Sequence, residues 1–245
     1  MTSPDGANPA RPAVPGGAAP PQRDGDRGVL GNERLTALAG AVLLVLIVVE
    51  LVTVPTLHAL LSAHVFVGVL LAGPLVVKTG STVYRFARYY TRAPAYVRRG
   101  PPHLALRVMG PLLVATTFVL VGSGIGLMVT GPAQPGPLLF LHGFSALLWF
   151  PMITVHVVAH ISPLPRLLAD DWTRPAAVQA PGSGLRLGLN TVVLLAGAIA
   201  AILVLPTAPP WSAWIQMNER VPAPFVVGTV LAILALLATK PLRWR

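Results

Sequence analysis

Histidines carry most of the chemistry open to this chain. Cysteine is absent, which excludes disulfides, iron–sulfur clusters, thiolate-ligated haem and covalent haem attachment, and leaves histidine, methionine and oxygen as the available donors. Three of the six histidines, His142, His156 and His160, lie in one apolar stretch, FLHGFSALLWFPMITVHVVAHI at 140–161. At about 100° per residue His142 and His160 share a meridian and His156 lies roughly 40° away, so all three line one helical face. Polar side chains at membrane depth are costly unless buried against partners. An imidazole column on a spanning helix therefore marks a site, and haem ligation is the chemistry it suggests.

The elements that must position these rings are membrane helices. The 245 residues are 54% hydrophobic and 11% charged, about half the charge of an average soluble domain. The apolar runs are near 20 residues long, which suits spanning helices and not alternating barrel strands. The expected fold is all-α: a polytopic bundle of six transmembrane helices, with a four-helix haem-binding core plus two. Spans are expected at 35–54, 57–77, 108–130, 137–161, 185–205 and 225–239, with Pro151 kinking the fourth. Residues 1–30, rich in Pro, Gly and Ala, read as a disordered cytoplasmic tail. No signal-peptide pattern follows the start, so the first span is expected to remain as an anchor. The membrane core then covers 31–162, with a basic inner loop at 78–107, and 163–245 holds a further inner loop and the last two helices.

Basic residues set the expected orientation. Lys78, Arg85, Arg88, Arg92, Arg98, Arg99 and Arg107 crowd the loop 78–107 without one acid, and Arg166, Arg174 and Arg186 lie between spans four and five. By the positive-inside rule both termini are cytoplasmic in a multi-pass protein of the cell membrane. Trp211 and Trp214 suit the outer interfacial belt, and Trp172 and Trp244 the inner one. The net charge of +10 is then a topology signal with attraction to anionic membrane lipid, not a nucleic-acid footprint.

Spans two and four run the same way in this topology. His64 lies about seven residues into its span and His142 about five into its own, so at about 1.5 Å per residue they reach similar depth. Two imidazoles at one level on neighbouring helices form the bis-histidine arrangement of a b-type haem. His156, roughly 21 Å further along the axis, would suit a second haem, but the same level on span two is near Lys78. His103 in the inner segment GPPH reads as a loop residue, and His58 as an interfacial one. His160 could replace His156 or accept a proton near a quinone. The His156/His160 pair also fits a zinc face but lacks a glutamate base. Glu50, inside span one, is either a proton relay or a neutral, hydrogen-bonded acid. Gly122, Gly124 and Gly126 give span three a thin face for a helix or flat ligand.

The segments HVFVGVLLAGPLVVKTGSTVYRFARYY, RRGPP, LLFLHGFSALLWF and VHVVAH followed by LPRLLADDW carry a resemblance. Over about residues 60–172 the chain resembles actinobacterial b-type cytochrome-like membrane proteins, with the architecture of ferric-reductase-like and hydrogenase-type cytochrome b subunits. Similar segments precede a molybdopterin oxidoreductase domain in some chains. The resemblance implies cofactor binding at His64, His142, His156 and His160, with His64 and His142 on the haem iron, and one haem b or two. It gives no support to His103. Because the sequence ends at Arg245, a molybdopterin-type oxidoreductase would be a separate extracytoplasmic partner.

The expected function is membrane electron transfer, between a quinol or cytoplasmic donor and an extracytoplasmic redox partner, as an electron-transfer subunit of an oxidoreductase. The alternative is a six-span transporter or scaffold without haem, in which the histidines pack or relay protons. Neither broken half-helices nor an internal repeat favours that alternative.

Overall fold

The computed structural model of the protein describes residues 24–98, 100, 104–172, 182–218 and 223–239. His103, Trp244 and the Trp172 side chain fall outside that description. Every regular element among the described residues is a helix: α1 (Asp24–Thr53), α2 (Leu57–Leu70), α3 (Ala72–Tyr90), α4 (Pro94–Arg98), α5 (Leu104–Thr130), α6 (Gly136–His160), α7 (Leu164–Trp172), α8 (Ser183–Val204), α9 (Ala208–Met217) and α10 (Ala223–Thr239). Five stretches are long and apolar enough to cross a membrane: Asp26–Thr53, Leu57–Tyr90, Arg107–Thr130, Gly136–His160 and Ser183–Met217. The sixth apolar helix, Pro224–Ala238, is shorter.

Two of these stretches outrun the apolar runs that announce them. Only Leu71, itself in helical conformation, separates α2 from α3, so the second rod continues through the basic residues to Tyr90. A three-residue 3-10 turn, Leu205–Thr207, likewise joins α8 to α9. At the other end, α1 begins at Asp24, inside the stretch read as a tail. The cause is docking: Val29 is 3% exposed against Ala93 and Tyr96, and Arg98 Nη2 donates to Asp26 Oδ1 at 2.7 Å.

The helices pack in two groups. One holds α1, α2, α3 and α8; the other holds α5, α6 and α10; α2 touches α5 and α9 between them. Small residues set the closest crossing. A Cβ on Gly73 would stand 2.5 Å from the Val193 carbonyl oxygen, and one on Gly197 would stand 3.2 Å from that of Leu70, so the second rod and α8 meet backbone to backbone. Outward positions such as Val45, Val48 and Val52 on α1 and Val192, Leu195 and Ile199 on α8 are exposed and apolar, as acyl chains require.

Between the groups lies a cavity of about 1930 Å³, well above the ~300–1,000 Å³ usual for a small-molecule site. Its walls come chiefly from α1, α2, α3, α5 and α6, while α8 lines none of it. Toward one end Leu61, Val65, Leu127, Ala208 and Trp211 pack together. Trp211 is thus not a belt residue: it is 3% exposed, and its Nε1 donates to the Leu127 carbonyl at 3.1 Å.

Candidate functional site

His64 reaches the cavity because a tight reversal sets α2 beside the last turn of α1. Glu50 and Thr53, three residues apart, share one helical face, and the turn after Thr53 brings that face against the second turn of α2. His64 Nδ1 then lies 3.0 Å from Thr53 Oγ1 and 3.0 Å from Glu50 Oε1. The hydroxyl hydrogen of Thr53 is already committed, because Thr53 Oγ1 donates to the Glu50 backbone carbonyl at 2.6 Å. Toward the ring Thr53 can only accept, so a hydrogen bond between the two requires the proton on Nδ1 and leaves Nε2 a lone pair. Gly68 makes room for the acid: a Cβ there would stand 3.1 Å from Glu50 Oε1.

His142 is held by the same logic from another helix. Leu120, Ser123 and Gly124 fall on one face of α5, at spacings of three and four residues. The turn before α6 returns the chain antiparallel against that face. His142 Nδ1 lies 3.0 Å from the Leu120 carbonyl, which can only accept, and 3.3 Å from Ser123 Oγ, whose own hydrogen goes to the Val119 carbonyl at 2.6 Å. Nδ1 is again the protonated nitrogen. A Cβ on Gly124 would stand 3.0 Å from His142 Cε1, so the thin face of this helix receives an imidazole.

The two rings meet although α2 and α6 share no packed interface. Their centroids are 6.4 Å apart and their planes perpendicular. The nitrogens of an imidazole point to nearly opposite sides of the ring, so with each Nδ1 turned to its own wall each Nε2 is left for the cavity. No hydrogen bond reaches either Nε2 among the described residues. A first-row metal takes imidazole nitrogen at about 2.0–2.1 Å and a centroid lies about 1.1 Å behind its nitrogen, which puts two imidazoles on opposite sides of one ion about 6.3 Å apart. The observed centroid separation of 6.4 Å matches that distance.

Two donors suffice only for a metal that brings its other ligands with it, as haem iron does. Among the described residues no group of three or more His, Cys, Asp or Glu could hold a bare ion. The residues and the cavity therefore fit a macrocycle better than zinc.

His156 and His160 also line the cavity, at the end away from Trp211. Their rings stack on each other at 4.4 Å and 25°, and His160 Nδ1 lies 2.9 Å from the His156 carbonyl, so this pair faces itself. Lys78 is an electrostatic neighbour of His156 and lies against α1, with Nζ 2.7 Å from where a Cβ on Gly40 would stand. No second histidine opposes His156 among the described residues. His58 is exposed at the α2 start and lines the cavity there, with no hydrogen bond or ring contact to the other histidines among the described residues.

Thr53, Ser123 and the Leu120 carbonyl escape a reading of residue types alone. The signals that could have found Thr53 and Ser123 are local: Thr53 follows Glu50 by three residues just before a turn, and Ser123 sits beside Gly124. No protein-family model matches the sequence, no curated protein is similar to it, and no solved structure matches its fold.

Proposed function

We propose that the chain is a membrane electron-transfer protein of the b-type cytochrome kind, in which His64 and His142 would hold the iron of one haem b. The observation that carries the reading is that both rings, 6.4 Å apart, turn Nδ1 to a partner on their own side and have no hydrogen bond at Nε2 among the described residues. When bound, the haem supplies a reversible one-electron couple at its iron. Everything else is done by this chain. Thr53, Glu50 and the Leu120 carbonyl fix tautomer and ring orientation, as outer-shell partners of ligating histidines do. Leu61, Val65, Leu127 and Trp211 give that end of the cavity an apolar wall.

In this proposal α10 makes a sixth crossing, both termini are cytoplasmic, and the protein resides in the cell membrane. The cavity runs on past the ligand pair to Arg85, Arg107 and Tyr90, which leaves space for a second haem or a quinone near His156 and His160. Arg107 Nη2 donates to the Tyr90 hydroxyl at that mouth. Electrons would pass between a quinol or cytoplasmic donor and a separate extracytoplasmic oxidoreductase, of the molybdopterin type.

Purification after haem-sufficient expression tests the proposal. A reduced-minus-oxidised spectrum with a Soret shift and a sharp α band is expected. A colourless protein that takes up no added haemin would leave the transporter or scaffold alternative.

A further inference from the structure

We propose that the basic mouth of the cavity binds an anionic phospholipid of the inner leaflet, its phosphate held by Arg85 and Arg107 and its acyl chains lodged in the cavity. The inference goes beyond electron transfer: it uses the membrane orientation proposed above and does not depend on haem. Its basis is a break in the wall. Thr82, Arg85, Phe86 and Tyr90 of α3 line the cavity, yet α3 shares no packed interface with α5 or α6. Arg107, at the start of α5, bridges the gap: Nη2 donates to the Tyr90 hydroxyl, and its guanidinium carbon lies 5.5 Å from the Tyr90 ring centroid. Phe86 packs beside Tyr90 with ring centroids 4.9 Å apart, and both rings remain exposed. The mouth is thus a basic, aromatic slot between helices.

No carboxylate answers these cations. Among the described residues neither Arg85 nor Arg107 forms an ion pair, and an acid that lines the same cavity from α1, Glu33, is already engaged. A guanidinium keeps its charge at any working pH, and its fork of N–H donors matches two phosphate oxygens. Tyr90 occupies one nitrogen of Arg107 and leaves donors on the others. Further in, Leu113, Val114, Ile153 and Val157 make the wall apolar. Charge outside and hydrocarbon inside is the order of an amphiphile. The cytoplasmic leaflet, which this mouth faces in the proposed orientation, is the one that carries anionic lipid.

Equilibrium titration of the full chain in neutral detergent tests this, read as co-eluting lipid and as unfolding temperature. The probes are phosphatidylglycerol, phosphatidylcholine with the same acyl chains, and inorganic phosphate. Phosphatidylglycerol is expected to be retained and to raise the unfolding temperature, and the other two are not. Removing both cations, in Arg85→Gln with Arg107→Gln, should weaken its binding by about fivefold per arginine, about 30-fold together. Arg88→Gln with Arg92→Gln removes the same charge from positions that do not line the cavity and should change it by less than about twofold. Gly110 lies one turn from Arg107 on the cavity wall, and a Cβ there meets nothing within 4 Å. Gly110→Leu should therefore obstruct the acyl chains and lose binding with every charge in place, and it decides if the double arginine variant fails to fold. Equal loss in the Arg88/Arg92 variant, equal retention of phosphatidylcholine, or protection by inorganic phosphate alone overturns the site. A chain that holds phosphatidylglycerol in the expected pattern but no haem overturns the ligation and leaves this inference standing; a haem-loaded chain without the pattern does the reverse.

Discussion

His64 and His142 stand with ring centroids 6.4 Å apart on two helices that do not pack against each other. Helices kept apart by a cavity have no packing reason to carry imidazoles at one level. Each ring is anchored from behind, His64 by the end of α1 and His142 by α5, and these anchors leave the same nitrogen of each ring uncommitted. The pair is a consequence of two antiparallel hairpins, α1–α2 and α5–α6, whose turns lie at one end of the molecule.

The fit of His142 against α5 can be tested at two neighbouring glycines. A methyl at Gly124 would stand 3.0 Å from the ring, whereas one at Gly122 meets nothing within 4 Å. Gly124→Ala is expected to push the imidazole off the Leu120 carbonyl and lower haem affinity by about 10–100-fold, the usual cost of spoiling an outer-shell contact. Gly122→Ala should load normally and unfold no earlier. Haemin titration of the two purified variants gives the comparison.

Trp211 should matter through its bulk more than its indole hydrogen bond. Trp211→Ala removes the centre of the cluster with Leu61, Val65 and Leu127 and is expected to cost about 3–5 kcal/mol. Trp211→Phe should cost only about 1 kcal/mol, because the Leu127 carbonyl also accepts from the Gly131 N–H at 3.0 Å. Thermal unfolding in one detergent ranks the two.

A third expectation is a near-null. Asp26 and Arg98 form an ion pair with side chains 40% and 48% exposed, and such pairs contribute about 0–1 kcal/mol. Asp26→Asn should therefore leave the melting point of α1 docking almost unchanged and insensitive to salt, while Val29→Asp, placing a charge among Ala93 and Tyr96, should not. Proteolysis of the segment preceding α2 reads out both.

Hydropathy made the membrane-crossing stretches legible, because lipid imposes long apolar runs: α6 spans Gly136–His160 where 137–161 was read, and α8 begins at Ser183 where 185 was read. It could not show α3 running on to Tyr90, since the arginines there end the apolar run without ending the helix. Nor could it show Trp211 buried, as an indole near a helix end reads equally as belt or core. At the site, depth along the helix axis sufficed to match His64 with His142. Pairing Glu50 and Thr53 with His64 required the register of the turn between α1 and α2, which residue spacing alone does not encode. His156 shows the converse: its helical face was legible, but the opposing wall at its level holds Lys78.

The most direct test of a shared iron is the low-spin spectrum of four proteins prepared alike: the unaltered chain, His64→Ala, His142→Ala and His58→Ala. The account predicts a low-spin haem signal in the unaltered chain and in His58→Ala, with loss or conversion to high spin in the other two. A low-spin signal that survives either His64→Ala or His142→Ala would contradict it.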